Sequence, residues 1–310
     1  MSIPGYKFTL GCDPELFVTK RGKPASAYGL LEGTKENPFK TKTGAYQVDG
    51  MAAEFNTDPV GIVTNYNTID YSAFNTWNDR IVDQIQTIKT KLKETGHSVR
   101  VSPTMEFGKE FLDKQPDEAK ELGCDPDYSA YTLEANPRPD GEKTFRTGAG
   151  HIHIGWGDGI PVENEEHMQI CAEFVKTLDA TVGMFMTYVD RDPLRRELYG
   201  KAGALRPKSY GVEYRTPSNV WVATRDLRRC VFDLVQIAIS EQMSNTRPYH
   251  PDMSAQEIID TGNHKLAFEA LELILRKQHK KLYYYTEFKW PVHFKRVIKS
   301  VEKEYGGNAD

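Results

Sequence analysis

The sequence predicts an α+β fold in which a curved, mainly antiparallel sheet carries a polar active-site face and long helices cover its other face. Three observations support this. Strand-like segments bounded by turn signals recur along the chain, amphipathic helical patterns interrupt them, and the two interleave without a regular strand–helix–strand alternation. Because no stretch has the composition of a linker, we predict a single domain over residues 1–310, mostly helical from about residue 225.

In the first third of the chain, the residue patterns predict strands followed by one long helix. The segments YKFTLGCDPELFVT and GAYQVDGMAAEFNT flank the turn signal KRGKP and have the pattern of strands. From Tyr66 to Glu94 apolar residues recur at three- and four-residue steps, and Gly96 follows as a stop signal. An early sheet therefore precedes a long helix.

The middle of the chain predicts further strands around a second helix. Strand-like segments are HSVRVSPTMEF, YTLEANP, GAGHIHIG and YGVEYRTP. The amphipathic pattern from Glu163 to Val189 predicts a helix between the last two of them. The stretch KKLYYYTEFKWPVHFKR near the end is basic and aromatic, and we interpret it as a helical packing face rather than a nucleic-acid surface.

Composition and charge narrow the class of protein. Hydrophobic residues make up 39% of the chain, charged residues 27%, and the formal net charge is −4, which disfavours nucleic acid as the main partner. There is no run of about 20 apolar residues, so we expect a cytoplasmic protein without a membrane span. The scattered Cys12, Cys124, Cys171 and Cys230 form no C-x-x-C pair and should be reduced thiols.

Polar residues two positions apart recur within the strand-like segments. The pairs are Asp13 with Glu15, Glu54 with Asn56, Glu134 with Asn136, His151 with His153, and Glu213 with Arg215. Each pair shares one face of its strand. If the strands lie side by side, several carboxylates and two imidazoles gather on one face, where burial would be prohibitive without cations. Such a ligand set suits Mg²⁺ or Mn²⁺ better than zinc.

Basic residues near the last of these pairs predict an anion site. Lys201 and Arg206 precede the pair Glu213 and Arg215, and such donors bind phosphate or a substrate carboxylate. Glycines beside the histidines would let a bulky ligand approach the backbone. A nucleotide phosphate site follows from this combination, although the chain has no Walker A motif.

The segment GCDPD, at residues 123–127, has two interpretations. Its composition is typical of a turn. Its position before the histidine strand makes Asp125, Asp127 and Tyr128 candidates for substrate recognition. For Glu134 and Asn136 a structural pair is the favoured interpretation, and the thiols of Cys12 and Cys124 are disfavoured as nucleophiles because a metal-bound histidine cannot serve as their base.

These motifs resemble those of a known family. GCDPELF resembles the G-x-E-x-E-F strand of glutamine synthetase, GAGHIHIG its GSGMH-x-H strand and VEYRTP its I-E-V-R-F-P strand, in the same order. The ordered set over residues 8–221 is most similar to the phage-encoded carboxylate–amine ligases (COOH.NH2 ligase type 2, amidoligases) of the glutamine-synthetase fold. The resemblance implies a bacteriophage enzyme acting in the host cytoplasm.

The resemblance also implies roles for the matching residues. One metal ion would be held by Glu15 and Glu54, and the second by Asp13, His151 and Glu213. The ATP phosphates would contact His153 and Arg215, with Lys201 nearby, and Arg206 would stabilise the transferred phosphoryl group or orient the acid. Asp13 replaces the glutamate of the family pattern. Because the first strand with metal ligands lies close to Met1, we expect no counterpart of the N-terminal domain that completes the ring of glutamine synthetase. We therefore expect a monomer or small homo-oligomer.

The predicted function is an ATP-dependent, ADP-forming carbon–nitrogen ligase that joins a small-molecule or peptide carboxylate to an amine through an acyl phosphate. ATP and two Mg²⁺ or Mn²⁺ ions are the expected cofactors, with Arg206, Glu213 and Arg215 as catalytic residues. Three alternatives stay open. They are a metal-dependent hydrolase, a phosphotransferase like the phosphagen kinases, and a non-catalytic phage interaction protein.

Overall fold

The computed structural model describes residues 7–63, 71–120, 127–137, 143–244, 253–282 and 287–305. The strands are β1 (Lys7–Cys12), β2 (Glu15–Lys20), β3 (Lys23–Ala25), β4 (Phe39–Lys40), β5 (Gly44–Asp49), β6 (Ala52–Thr57), β7 (Val60–Val63), β8 (Ser98–Arg100), β9 (Thr104–Glu106), β10 (Tyr128–Ser129), β11 (Phe145–Thr147), β12 (Ile152–Gly155), β13 (Ala204–Lys208) and β14 (Gly211–Tyr214).

The α-helices are α1 (Tyr71–Glu94), α2 (Lys109–Asp113), α3 (Asp117–Lys120), α4 (Glu165–Leu178), α5 (Met184–Val189), α6 (Arg195–Leu198), α7 (Arg225–Met243), α8 (Ala255–Thr261), α9 (His264–Leu282) and α10 (Val292–Tyr305). Helices α1 and α4 pack against these strands. A π-helix, Asp179–Gly183, joins α4 to α5, and a 3₁₀-helix, Asn219–Val222, precedes α7. None of the helices in the described ranges has both the length and the apolar character needed to cross a bilayer.

Two antiparallel sheets meet at the connection between β1 and β2. The first runs in the order β10-β13-β14-β12-β1-β7, and the second runs β3-β2-β6-β5-β4, with β8 also paired to β2. Asp13 and Pro14 link β1 of the first sheet to β2 of the second. The α+β class with antiparallel sheets, predicted from the sequence, is confirmed.

The register of the first sheet aligns polar residues across neighbouring strands. His153 of β12 lies opposite Gly11 of β1 on one side and Glu213 of β14 on the other. Glu213 in turn lies opposite Arg206 of β13. Because alternate residues of a strand share a face, this row puts polar side chains on one face of the sheet.

The opposite face of the first sheet is apolar and packed by helices. Ile152, Ile154 and Val212 are fully buried there, and α4 contacts both β13 and β14. Helix α1 packs on β5, β6 and β7. The indole rings of Trp77 in α1 and Trp221 stack with centroids 5.2 Å apart, which connects the two packing regions. A side chain of this size contributes on the order of 2 kcal/mol or more through burial.

Asp179 of the π-helix is a fully buried carboxylate behind the polar face. It accepts hydrogen bonds from the hydroxyls of Tyr214 (2.6 Å) and Tyr131 (3.1 Å) and from the backbone NH of Gly203 (2.6 Å). Burial raises its pKa to about 7, although these donors act in the opposite direction. Tyr214 lies between Glu213 and Arg215, so Asp179 anchors β14 from behind.

Sequence-based expectations differ from the structure in two places. The helix predicted from Glu163 to Val189 contains the π-helix, because apolar periodicity does not distinguish an α-turn from a π-turn. The strand predicted over YTLEANP is wrong. Leu133 has a positive φ of 61° and its NH bonds Ser129 O, so this segment is a turn with one bridge between Tyr128 and Ala135.

The aromatic C-terminal stretch packs against the body of the protein where it is described. Trp290 stacks on Phe268 with centroids 5.4 Å apart, and Phe294 is buried. The helical character predicted from about residue 225 is present, since α7 begins at Arg225. That the chain forms a single domain stays a prediction.

Candidate active site

A polar cavity of about 280 Å³ opens where the two sheets meet. Among the described residues, five acidic and six basic side chains line it, beside His151 and Tyr199. The acids are Asp13, Glu15, Asp49, Glu54 and Glu213, and the bases are Lys35, Arg146, Arg195, Arg206, Lys208 and Arg215. So dense a set of charged side chains, several of them buried, is typical of a site that binds charged ligands.

The first ligand cluster lies on the polar face of the first sheet and consists of Asp13, His153 and Glu213. Their ligand atoms all lie within 4.8 Å of one another. Asp13 Oδ1 is 3.0 Å from His153 Nε2, yet both atoms are buried and neither makes a well-formed hydrogen bond. His151 Nδ1 is 3.4 Å from Asp13 Oδ1 and 3.4 Å from Glu213 Oε1. This donor set fits a hard divalent cation.

The second ligand cluster lies on the second sheet and consists of Glu15, Asp49 and Glu54. Glu15 of β2 pairs directly with Glu54 of β6, and Asp49 lies at the end of the adjoining β5. Their ligand atoms also fall within 4.8 Å. The NH of Ala149 donates to Glu15 Oε2 at 2.8 Å, and Lys35 Nζ lies 3.0 Å from Asp49. Three carboxylates so close fit a divalent cation that neutralises them.

Basic side chains of the protein surround Glu213 of the first cluster. Glu213 pairs with Lys208 Nζ at 2.9 Å, with Arg206 Nη1 at 3.4 Å, and with Arg215. Arg215 Nε also donates to Asp127 Oδ2 at 3.2 Å. The cluster therefore has fixed positive donors on its β13 and β14 side, where a phosphate group would be neutralised.

The pKa values of the two clusters move in opposite directions. Burial opposes ionisation of Asp13 and Glu213, but His153 and His151 hold the pKa of Asp13 well below its ordinary value, and Arg215 does the same for Glu213. In the second cluster burial, then the charge of Asp49, raises the pKa of Glu15 to about 7. Burial and neighbouring carboxylates raise the pKa of Glu54 well above its usual range.

The histidines also differ. Burial and the charge of Arg215 lower the pKa of His151. For His153 burial acts in the same direction, but Asp13 outweighs it and the pKa is raised. His153 Nδ1 contacts the hydroxyl of Tyr210, which fixes the orientation of the ring.

Comparison with protein families identifies the chain. The model of the phage phiEco32-like COOH.NH2 ligase-type 2 family matches residues 141–308, more than half of the sequence. The chain belongs to this family. It is therefore a carboxylate–amine ligase by family, as the motif resemblance predicts. The matched segment contains His151, His153, Arg206, Glu213 and Arg215, whereas the acids of the second cluster lie before it.

Two other comparisons add little to the assignment. No curated protein matches the chain. A solved structure described as a crystal structure of a novel glutamine synthase homolog is 12% identical, with a TM-score of 0.40, over 96% of this chain and 71% of that one. A TM-score this low does not by itself establish a common fold.

Most of the site residues predicted for this family member meet in the cavity. Glu15, Glu54, Asp13, His151, Glu213, Arg206 and Arg215 line it, and His153 contacts Asp13. Asp127 contacts Arg215. Asp125 and Cys124 lie outside the described residues. Tyr128 packs against the hydrophobic core instead. Their functional roles stay predictions.

Three other candidates fall away from the cavity. The side chain of Lys201 is exposed and does not line it, although its carbonyl accepts from Thr216 Oγ1. Glu134 is exposed and Asn136 is half-buried in the turn after β10, and neither lines the cavity. Lys208, two residues after Arg206 on the same face of β13, lines the cavity instead.

Sequence reasoning missed several cavity residues. Asp49 lies in QVDG, which has the composition of a hairpin turn, and its only signal was the nearby strand residue Glu54. Lys208 follows Pro207, which hides the strand pattern. Arg146 and Arg195 belong to no i, i+2 pair, so only the folded chain brings them to the cavity.

The glycines beside the histidines make room for neighbouring backbone rather than for a ligand. A Cβ at Gly148 would lie 2.6 Å from Ser102 O, and one at Gly150 would lie 2.2 Å from Ser218 O. The prediction that these glycines admit a ligand is wrong, because neighbouring backbone fills the space. Cys12 is buried, and burial raises the pKa of its thiol, which disfavours it as a nucleophile.

Proposed function

We propose that this protein activates a carboxylate with ATP and joins it to an amine, releasing ADP and phosphate. The observation that carries the proposal is that two clusters of candidate cation ligands lie beside Arg206, Lys208 and Arg215 at one cavity. Membership of a carboxylate–amine ligase family supports the reaction class. The small-molecule or peptide carboxylate and amine, and the state as monomer or small homo-oligomer, are part of the proposal.

Each cluster would hold one Mg²⁺ or Mn²⁺ ion. Glu15, Asp49 and Glu54 would bind the first. Asp13 and Glu213 would bind the second with an imidazole, and the geometry favours His153 because its Nε2 is 3.0 Å from Asp13. That assignment exchanges the roles that the family resemblance implies for the two histidines. Bound divalent ions would neutralise the triphosphate and polarise its transferred phosphoryl group.

The basic side chains around Glu213 would position the phosphates and stabilise charge. In the first step a carboxylate oxygen attacks the γ-phosphorus, an O–P bond forms, and the bond to the ADP oxygen breaks. Arg206, Lys208 and Arg215 would stabilise the negative charge on the transferred group. In the second step the amine nitrogen attacks the acyl carbon, the C–O bond breaks, and phosphate leaves with release of the amine proton.

Hydroxylamine tests the proposal, because this small nucleophile intercepts an acyl phosphate whatever the natural amine is. The protein is incubated with ATP, Mg²⁺ and pools of candidate carboxylates, and both hydroxamate and ADP are measured. Glu15→Ala and His151→Ala alter cavity residues, while Glu134→Ala removes an exposed carboxylate outside the cavity as a matched control. We expect ATP-dependent hydroxamate that disappears in the first two variants and persists in the third.

The alternatives give different results in the same assay. ADP without hydroxamate would contradict the ligase and indicate a phosphotransferase. A metal-dependent hydrolase would process its substrate without ATP, but it gives no role to the basic side chains around Glu213. MgATP binding with no turnover of any acid would indicate an interaction protein that retains the site.

A further inference from the structure

Asp179 is a fully buried carboxylate that has no part in the proposed reaction. Two tyrosine hydroxyls and one backbone NH favour its charged form, and none of these donors carries a charge. Burying a carboxylate among neutral donors is costly, and a neutral side chain of the same size would avoid that cost. Stability alone therefore does not account for an acid at this position.

The three donors to Asp179 come from three different segments of the chain. Tyr131 belongs to the turn after β10, Gly203 is the residue before β13, and Tyr214 is the last residue of β14. The same segments carry charged side chains of the ion-pair network around Glu213, namely Asp127, Arg206, Glu213 and Arg215. One carboxylate behind the sheet thus joins the backbone segments whose charged side chains meet in front of it.

Strand alternation connects the buried network to the cavity side of β14. Tyr214 lies between Glu213 and Arg215, so its side chain points to the opposite face of the sheet. Its hydroxyl lies 2.6 Å from Asp179 Oδ1. At the other end of the π-helix, a Cβ on Gly183 would lie 2.9 Å from this hydroxyl. The π-helix therefore supplies both the acceptor for the tyrosine and the space that its hydroxyl occupies.

The turn after β10 is attached to the first sheet by a short pairing. β10 pairs with β13 over two residues. The ring of Tyr131 packs on Gly203, where a Cβ would lie 2.7 Å from the ring and φ is 76°. Asp127, at the start of this segment, accepts from Arg215 Nε at 3.2 Å. The bond from Tyr131 to Asp179 therefore helps to hold the carboxylate that orients Arg215.

We propose that Asp179 is a positioning residue for the first cluster, which holds Arg215 and its carboxylate partners in one arrangement from behind the sheet. The inference rests on the proposed function only for the ligands that this arrangement binds. Asp179 acts through Tyr131, Tyr214 and the backbone of Gly203. A buried polar network whose members are all satisfied specifies one geometry, and donors fixed in advance need no reorganisation when a charged ligand binds.

The Nε–H signal of Arg215 measures its position directly in the ¹⁵N-labelled, metal-free full chain. Exchange of this hydrogen with water is slow while Nε donates to Asp127. We expect exchange to become about tenfold faster in Tyr131→Phe, which removes one hydroxyl, and in Asp179→Ala, which removes the acceptor. The signal is assigned by its absence in Arg215→Lys.

The Nε–H signal of Arg196 is the internal control, because this group donates to Ile259 O at 3.1 Å and not to the network. Tyr46→Phe is the matched variant, since it removes a buried hydroxyl from the second sheet and should change neither signal. Asp179→Asn should keep exchange slow, because its amide can accept from Gly203 and donate to the Tyr214 hydroxyl.

Two results would overturn the positioning role. One is unchanged exchange at Arg215 in folded Asp179→Ala, or in Tyr131→Phe if Asp179→Ala does not fold by circular dichroism. The other is equal acceleration at Arg215 and Arg196, which would show that the whole fold has loosened.

Mn²⁺ titration measures the consequence for ligand binding at each cluster. In a Glu54→Gln background, which removes a ligand of the second cluster, Tyr131→Phe should weaken Mn²⁺ binding about tenfold. In a Glu213→Gln background, which leaves the second cluster intact, the same substitution should change the affinity less than about twofold. Faster exchange at Arg215 with unchanged Mn²⁺ affinity in both backgrounds would overturn the link between Asp179 and the first cluster.

The two proposals fail separately. Hydroxamate formation together with exchange at Arg215 that does not depend on Asp179 would leave the ligase standing and remove the positioning role. Exchange that depends on Asp179, without hydroxamate from any acid, would leave the positioning role standing and contradict the proposed reaction.

Discussion

Glu213 of the first ligand cluster and Glu54 of the second have pKa values that are shifted in opposite directions. Glu213 in the first cluster has Lys208, Arg206 and Arg215 as counter-ions, and its pKa is lowered. Glu54 in the second cluster faces other carboxylates, and its pKa is raised. The comparison shows that three basic side chains neutralise Glu213 in the first cluster, whereas burial and neighbouring carboxylates raise the pKa values of Glu15 and Glu54 in the second.

Glu213→Gln should break the first cluster and have the largest effect. Three basic side chains lose their shared carboxylate, so we expect hydroxamate formation to fall at least about 10³-fold and the metal-free protein to lose about 3 kcal/mol of unfolding free energy. Steady-state kinetics and urea denaturation measure the two effects. Unchanged stability would show that solvent, rather than Glu213, balances these cations.

Glu54→Gln should have the opposite effect on stability. Removing one of three clustered carboxylates relieves repulsion, so the unfolding free energy of the metal-free protein at pH 7.5 should rise by about 1–2 kcal/mol. Activity should still be lost, because a cation ligand is removed. Urea denaturation without metal and titration with Mn²⁺ test both parts. Loss of stability in this variant would contradict the difference drawn between the clusters.

The stability of the metal-free protein should also depend on pH. This effect is smaller, and the pKa of Glu15 fixes its direction. The pKa of Glu15 is about 7 in the folded protein and near 4.5 ordinarily, so its contribution to stability is complete below pH 4.5 and disappears as the pH rises through 7. The increase in Tm caused by Mn²⁺ should therefore be several degrees larger at pH 8 than at pH 6. In Glu15→Gln that difference should shrink, as scanning calorimetry would show.

Strand periodicity explains which parts of the site could be predicted. His151 and His153, or Glu213 and Arg215, share a face whenever their segment is extended, so a local pattern identified them. Arg146 and Arg195 reach the cavity only through tertiary packing, and no local pattern records that. Sequence proximity to Arg206 predicts Lys201 as a donor, but it does not reveal that Lys208 lies on the cavity face of β13.

The same contrast applies to secondary structure: a pattern repeated along an element predicts it, whereas the hydrogen bonds of a turn do not follow from residue types. Long amphipathic helices such as α1 were predictable because their period is repeated over many residues. YTLEANP has suitable residue types for a strand, but its backbone bonds are used within a turn that contains Leu133 in a left-handed conformation. The preferences of these residues for strands do not reveal the backbone hydrogen bonds within the turn.

The connection between the sheets passes through Asp13, Pro14 and Glu15. Asp13 belongs to one ligand cluster and Glu15 to the other, with a single proline between them. The separation of the two sites is consequently set by covalent geometry and a restricted φ, rather than by side-chain packing. Core substitutions that loosen the protein would leave this spacing nearly constant, whereas inserting one residue beside Pro14 would turn one carboxylate away from its partners while the hydrophobic core stayed intact.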